Sequence, residues 1–320
     1  MRVLITGMSG FAGHALCKFL LRETHWTIIG ASSSATGDRA DARVQWWQVD
    51  FRNPDSVNRL IDSERPELIF HLAAQSNVPQ SWLSPWDTYE TNVRGTLNIL
   101  EAILASKITP RVLIVSSNEV YGAPTPPVEL PFTERHPLRP NNPYGVSKLA
   151  AEKLAMQYHY SHGLDILVMR PFNHVGPGQN ASFVVSGFAK QIAEIEIGLR
   201  EPDIGLGNMA ASRDFTDVRD VVRAYFLAAR HAEGGRVYNV CSGVARTIQS
   251  VLDQLLSMSS VRISTHVDPS RFRVVDTPIS YGDHACLSHD TGWEQQILFE
   301  DTISDVLDDW RQRLKATEQK

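Results

Sequence analysis

Residues 1–13 read MRVLITGMSGFAG, and this stretch decides the fold. Residues 2–6 form a short β-branched run that reads as a buried parallel strand. Gly7, Gly10 and Gly13 follow at once and open an amphipathic helical pattern over 14–22. Without Cβ atoms the backbone can turn tightly there and approach a pyrophosphate, whose charge is met by free N–H groups at the helix N-terminus. Gly7, Gly10, Phe11 and Gly13 are therefore expected to form a dinucleotide loop, against the plainer reading of a structural turn.

The same strand-then-helix alternation continues outward. Residues 26–30, 68–73, 112–116 and 166–170 read as further buried strands, and 88–106 and 144–162 as helices. The fold class this predicts is α/β, a Rossmann-type doubly wound parallel sheet. After Arg170 the pattern breaks into PFNHVGPGQNASF, a polar loop too long to be a simple connector. A helix over 184–197, an extended piece over 203–208, a helix over 218–232 and a strand over 236–240 come next. Two more amphipathic helices around the loop DPSRFRVVDTP complete the chain. The expected division is a dinucleotide-binding domain of 1–171 with 217–241, and a smaller C-terminal α/β substrate domain of 172–216 with 242–320.

The 320 residues are 42% hydrophobic and carry a net charge of −5, so a large core is affordable while the basic excess that nucleic acid or an anionic membrane demands is missing. No apolar run approaches bilayer length and MRVLITGMSGF lacks a leader pattern, which predicts a cytoplasmic protein. Cys17, Cys241 and Cys286 stand far apart without neighbouring Cys or His, and read as buried free thiols rather than disulfide or metal ligands.

The second strand runs into IIGASSS, where an acidic residue would grip a free ribose 2′-hydroxyl, and none is present. Ser32 and its neighbouring serines, with Arg39, suit a 2′-phosphate instead. NADP(H) is thus expected in preference to NAD(H), which the loop also admits. Asp50 and Phe51 are placed to meet the adenine. Leu72, Ala73 and Ala74, after the fourth strand, should pass close to the phosphates and ribose.

In YGVSK, Tyr144 and Lys148 share one helical face at i, i+4. A lysine ammonium beside a phenol favours the phenolate and brings it toward proton exchange with a substrate hydroxyl or carbonyl. Ser117 lies just past a strand, at the carboxyl edge where open α/β sheets bind ligands, and its hydroxyl can hold a substrate oxygen. Glu119 reads equally as a base near the substrate or as a locally satisfied charge. His71, on an apolar strand, reads as a hydrogen-bonded core residue, and His174 as a residue that fixes its loop or touches the ligand. No histidine has a metal partner.

TGMSGFAG, HLAAQS, SSNEVYG, YGVSK and RPFNHVGPGQ, in that order, resemble the extended short-chain dehydrogenases/reductases that act on nucleotide sugars. Within them, FNHVGPGQ, FVVSGFAKQIAEIE, GNMAASRDFTDVRDVVRAY and VYNVCSG are most similar to the GDP-4-keto-6-deoxy-D-mannose reductases, which make GDP-D-rhamnose. The resemblance implies that Ser117, Tyr144 and Lys148 are catalytic, that the loop of Asn173 contacts the sugar diphosphate, and that Lys190, Arg213 and Arg273 line the nucleotide pocket. The tail departs from the family's Arg-Pro-Ser/Ala-Asp, reading Arg273, Val274, Val275, Asp276. Asn118 stands where many 4,6-dehydratases place an acid, although the GDP-mannose dehydratases lack it too. The implied activity is reduction of the C4 ketone of a GDP-linked 4-keto-6-deoxy sugar by a homodimer paired through the Tyr144 helix and the one before it. The alternatives are a GDP-mannose 4,6-dehydratase, a 4-epimerase, a reductase making GDP-6-deoxy-D-talose, and an NADP(H)-sensing protein without turnover.

Overall fold

A computed structural model describes residues 1–34, 41–124, 130–271 and 277–318. Its main sheet is parallel throughout, and its strands are β1 (Arg2–Thr6), β2 (Thr27–Ser32), β3 (Val44–Gln48), β4 (Leu68–His71), β5 (Arg111–Val115), β6 (Asp165–Pro171) and, later in the chain, Val237–Val240. The last of these lies beside β6 at one edge, followed by β5, β4, β1, β2 and β3. The order reverses at β1, so the crevice beyond the carboxyl ends of β1 and β4 is the place where a sheet of this kind takes a ligand.

Side chains alternate across β1 as a sheet covered on both faces requires. Val3 and Ile5 pack with Leu16 and Leu20 of the Phe11–Glu23 helix and with Val221 and Ala224 of the Val218–His231 helix. Leu4 packs on the opposite face with Leu60, Ile103 and Ile166. Each face is a separate apolar cluster, and both bury residues to complete exclusion from solvent.

Beyond β6 the chain builds a third apolar cluster of Phe188, Ile192, Ile204, Phe215, Leu252, Ile303 and Val306. Short strands frame it: β7 (Asn173–Val175), β8 (Asp203–Leu206) and β9 (Ser212–Asp217), with β9 paired in parallel to β7. The tail is richer than the sequence suggests. Among the described residues it holds three α-helices, Ile248–Ser257, Ala285–Thr291 and Phe299–Glu318, and short strands at Ala245–Thr247, Ser264–Val267 and Ile279–Ser280. Strands of two to four residues carry too few alternations to be read from a pattern.

The stretch read as one helix over 88–106 is also divided. Helices Val78–Leu83 and Pro85–Tyr89 precede a π-helical turn, Glu90–Arg94, that widens the helix before Gly95–Ala105. Cys17 and Cys241 are buried and in no disulfide, whereas Cys286 is only half-buried because it lies at the edge of the apolar cluster, packed against it rather than within it. Among the described residues no helix is long and apolar enough to cross a membrane, and no group of three or more His, Cys, Asp or Glu could hold a metal ion.

Candidate active site

A cleft of about 1200 Å³ runs from the glycine loop across the carboxyl ends of β1, β4 and β5 into the third cluster. Gly7 holds φ at +70°, and a Cβ there would stand 2.8 Å from the Ala73 backbone nitrogen, so only glycine lets the loop lie against the end of β4. A Cβ on Gly13 would come within 2.3 Å of the Gly7 carbonyl oxygen. Gly10 is the N-cap of the Phe11–Glu23 helix, with no side-chain cap and no acid in the first turn. The helix therefore presents its first N–H groups and the positive end of its dipole without competition from its own side chains. Together the close-fitting loop and this uncapped terminus fit the pyrophosphate of a dinucleotide.

His71 ties this floor together. Its Nδ1 lies 2.8 Å from Thr6 Oγ1 and its Nε2 3.0 Å from Thr96 Oγ1, while Thr6 Oγ1 also accepts the Ala73 N–H at 3.0 Å. Burial, helped by the Lys148 charge, pushes its imidazole down to about 3, so it is a neutral core residue. Leu72, Ala73 and Ala74 line the cleft beside it. Ser32, Asp50 and Phe51 line the far end, where Ser32 Oγ donates to the Ser34 carbonyl at 2.8 Å and the Asp50 carboxylate pairs with Arg52 at 3.0 Å. Arg39 lies outside the described residues.

Tyr144 and Lys148 enter from the Pro143–His162 helix, which starts sharply because Pro143 occupies its first turn and Asn142 Oδ1 accepts the Gly145 N–H at 2.8 Å. Ser117 follows β5 in extended conformation, and its hydroxyl hydrogen-bonds the Tyr144 phenol. The electrostatics differ from the sequence expectation. Burial pushes the phenol up, the Ser117 bond offsets only part of this, and the Glu119 carboxylate raises it further. Lys148 does not lower it, since burial brings the lysine itself down to about 8, with Glu152 pulling the other way. Desolvation thus outweighs the Lys148–Tyr144 attraction that spacing alone suggested. Glu119 accepts a hydrogen bond from Asn142 Nδ2 at 2.7 Å, and so is both a satisfied local charge and a cleft residue.

Asn92 was not singled out from sequence, yet it clamps the site. Its Nδ2 donates to Ser147 Oγ at 2.8 Å and to the Gln75 carbonyl at 3.0 Å, and its Oδ1 accepts the Gln75 N–H at 2.8 Å. It sits in the π-helical turn, a feature often found at functional sites and one that leaves no mark on hydrophobic periodicity.

Toward the third cluster, the buried Oδ1 of Asn173 has no hydrogen-bond partner among the described residues. The His174 ring stacks on Phe11 at 5.9 Å between centroids, and its pKa is lowered by burial. Lys190 reaches Glu194 at 3.4 Å and lies over the Trp310 ring. Arg213 donates to the carbonyls of Ser212 and Thr277 at 2.9 and 2.6 Å. All four residues line the cleft, as do Gln179, Arg200 and Asn208, which the sequence reading does not single out although Gln179 ends RPFNHVGPGQ and Asn208 lies in GNMAASRDFTDVRDVVRAY. Arg273 lies outside the described residues.

Residues 4–306 match the family model described as GDP-mannose 4,6 dehydratase. The chain is 37% identical to the GDP-6-deoxy-D-mannose reductase of Pseudomonas aeruginosa over 98% of both sequences. It is 29% identical to a GDP-mannose 4,6 dehydratase of Arabidopsis thaliana over 96% of this chain and 86% of that one. Its fold superposes on the structure of RMD from Pseudomonas aeruginosa complexed with NADPH with a TM-score of 0.85, covering 98% of this chain and 99% of that chain at 37% identity. The chain belongs to the GDP-mannose 4,6 dehydratase family, a branch of the extended short-chain dehydrogenases/reductases.

Proposed function

We propose that the protein is an NAD(P)H-dependent oxidoreductase that reduces the C4 ketone of GDP-4-keto-6-deoxy-D-mannose, giving GDP-D-rhamnose. The observation that carries this reading is the meeting of Ser117, Tyr144 and Lys148 in the cleft that begins at the glycine loop. Likeness to the Pseudomonas aeruginosa reductase supports the substrate, and its NADPH-bound neighbour supports NADP(H) over NAD(H). A reduced nicotinamide dinucleotide, held at the Gly7, Gly10 and Gly13 loop, would supply the hydride.

Each residue then has a task that its surroundings favour. Tyr144, protonated because burial raises its pKa, gives its proton to the oxygen at C4. Ser117, already bonded to that phenol, orients the carbonyl and shares the developing negative charge. Lys148, one turn on along the same helical face, would hold the ribose of the nicotinamide through its ammonium N–H groups. The Asn173 amide, with its unpaired Oδ1, together with Lys190 and Arg213, would hold the GDP moiety, a diphosphate needing local cations in a chain of net charge −5.

One observation favours a second reading. Glu119 lies in the cleft close enough to act on Tyr144 and has the position of a base for water elimination, as in a GDP-mannose 4,6-dehydratase. Net cofactor consumption separates the two. The test is NADPH oxidation with GDP-4-keto-6-deoxy-D-mannose generated in situ, followed by NMR of the product. Stoichiometric oxidation with a rhamno-configured sugar supports the reductase; no oxidation, with conversion of GDP-mannose alone, supports the dehydratase.

The division into 1–171 with 217–241 and 172–216 with 242–320 is proposed on the separation of the third cluster from the two that cover the sheet, with Leu287 and Trp293 of the tail packing in the sheet's own cluster. A homodimer is proposed on the exposure of Trp82, Leu83 and Trp86 in the segment packed beside the Tyr144 helix. Sedimentation of the purified protein tests it.

A further inference from the structure

Tyr225 lies on the Val218–His231 helix and is wholly excluded from solvent, yet it lines the cleft, and its hydroxyl has no hydrogen-bond partner. A buried phenol without a partner carries a desolvation cost that an apolar phenylalanine would avoid. The ring belongs to the apolar cluster that also holds Met8 of the glycine loop, Leu113 of β5 and Met169 of β6. It thus rises on the side of the sheet that carries the Phe11–Glu23 helix, opposite the face packed by Leu4, Ile103 and Ile166. The cleft that it lines also takes in the loop suited to the pyrophosphate and Tyr144, and the two phenols are close enough that ionisation of Tyr144 would add to the effect of burial in raising the Tyr225 pKa. Lys190 and Arg213, assigned to the nucleotide-sugar, line the same cleft from the Val184–Glu196 helix and β9.

We infer that the Tyr225 hydroxyl donates a hydrogen bond to the carboxamide oxygen of the nicotinamide and so fixes the ring's rotation about its glycosidic bond. Tyr225 is then a positioning residue that sets which face of the ring meets the substrate. The inference rests on the reading of the protein as an NADP(H) enzyme. It goes beyond that reading because the glycine loop and the Ser117, Tyr144, Lys148 group account for the pyrophosphate and the proton, but leave the carboxamide unassigned.

The experiment compares wild type with Tyr225→Phe, which removes one oxygen and nothing else. Binding is measured by calorimetry for NADPH, for its thionicotinamide analogue, whose sulfur is a poor acceptor, and for 2′-phospho-ADP-ribose, which lacks the nicotinamide. Wild type is expected to prefer NADPH over the thio analogue by about tenfold, and the variant to lose that preference while binding 2′-phospho-ADP-ribose as before. The ligand-free variant should melt no lower than wild type, because the hydroxyl has no partner to lose. Equal discrimination by both proteins overturns the inference, as does equal loss of all three ligands, which would mark a general packing defect. If wild type binds none of the three, the NADP(H) reading itself falls. If wild type discriminates poorly between NADPH and the thio analogue from the outset, the hydroxyl's partner is something other than the carboxamide and the inference is again overturned.

Discussion

Arg170 Nη2 lies 2.6 Å from Glu152 Oε1, with the two side chains 3% and 0% exposed, on the buried side of the Pro143–His162 helix. Glu152 is one turn beyond Lys148, its second oxygen accepts the Ser116 hydroxyl at 2.9 Å, and Ser116 precedes Ser117. One carboxylate therefore anchors the strand end carrying Ser117 and supplies the negative charge that opposes the loss of the Lys148 proton. Arg170 continues the network to the Tyr121 hydroxyl at 2.9 Å, and Tyr121 donates to Asn239 Oδ1 at 2.6 Å.

Glu152→Gln should leave the Arg170 guanidinium buried without its counter-ion, a change that costs about 3–5 kcal/mol. Urea unfolding monitored by circular dichroism checks this. A loss below about 1 kcal/mol would mean that the pair is dispensable, as exposed pairs usually are.

Lys148→Met should stabilise the ligand-free protein while removing activity. Burial sets the folded pKa at about 8 against 10.5 for the free side chain. Between those values the unfolded chain binds more protons than the folded one, so stability rises with pH across that window. Below pH 8 the cost of burying the charge is fully present, at about 3 kcal/mol. The stabilisation by Met should thus be largest at pH 7 and fade toward pH 10.5. Melting curves of both proteins at several pH values test it, and a gain that does not change with pH would show that the charge is not the cause.

His71 makes the opposite end of the scale informative. Its folded pKa of about 3 lies below the ordinary 6.5, so the unfolded chain takes up a proton first as the solution is acidified. Stability is complete above pH 6.5 and is lost as pH falls toward 3, by roughly 4–5 kcal/mol from this group alone. In wild type, NMR should show the His71 ring neutral at pH 5, and unfolding at that pH should need markedly less urea than at pH 7. A charged ring in the folded state at pH 5 would contradict the neutral bridge between Thr6 and Thr96.

Why some of this was legible in sequence and some was not follows from the range of each interaction. The glycine loop, the buried strands and the Tyr144 and Lys148 pair are local patterns, set by spacing along one strand or one helix face, and the residues carry them without their neighbours. Asn92 and Tyr225 acquire meaning only when the sheet brings 75, 92 and 147 together, or places a phenol beneath the cleft. The pKa of Tyr144 was misjudged for the same reason. The lysine partner is visible as an i, i+4 spacing, whereas desolvation depends on every element that packs around the phenol.

Tyr144→Phe separates binding from chemistry. The substitution keeps the ring that fills the first turn of the Pro143–His162 helix, and the helix start survives because Asn142 caps it and Ser81 Oγ accepts the backbone N–H of residue 144 at 3.2 Å. Loss of the proton donor should lower kcat by about 10²–10⁴-fold, the usual contribution of a positioned general acid. NADPH affinity should stay within about threefold of wild type, since the phenol meets the substrate oxygen and Ser117 rather than the pyrophosphate loop. Ser117→Ala, by contrast, should raise KM as well as lower kcat, because its hydroxyl holds the carbonyl before and during proton transfer. Stopped-flow absorbance of NADPH oxidation, with affinity measured separately by fluorescence, resolves the two. A Tyr144→Phe protein that turned over at near wild-type rate would remove Tyr144 as the donor and leave Glu119 as the nearest acid to test.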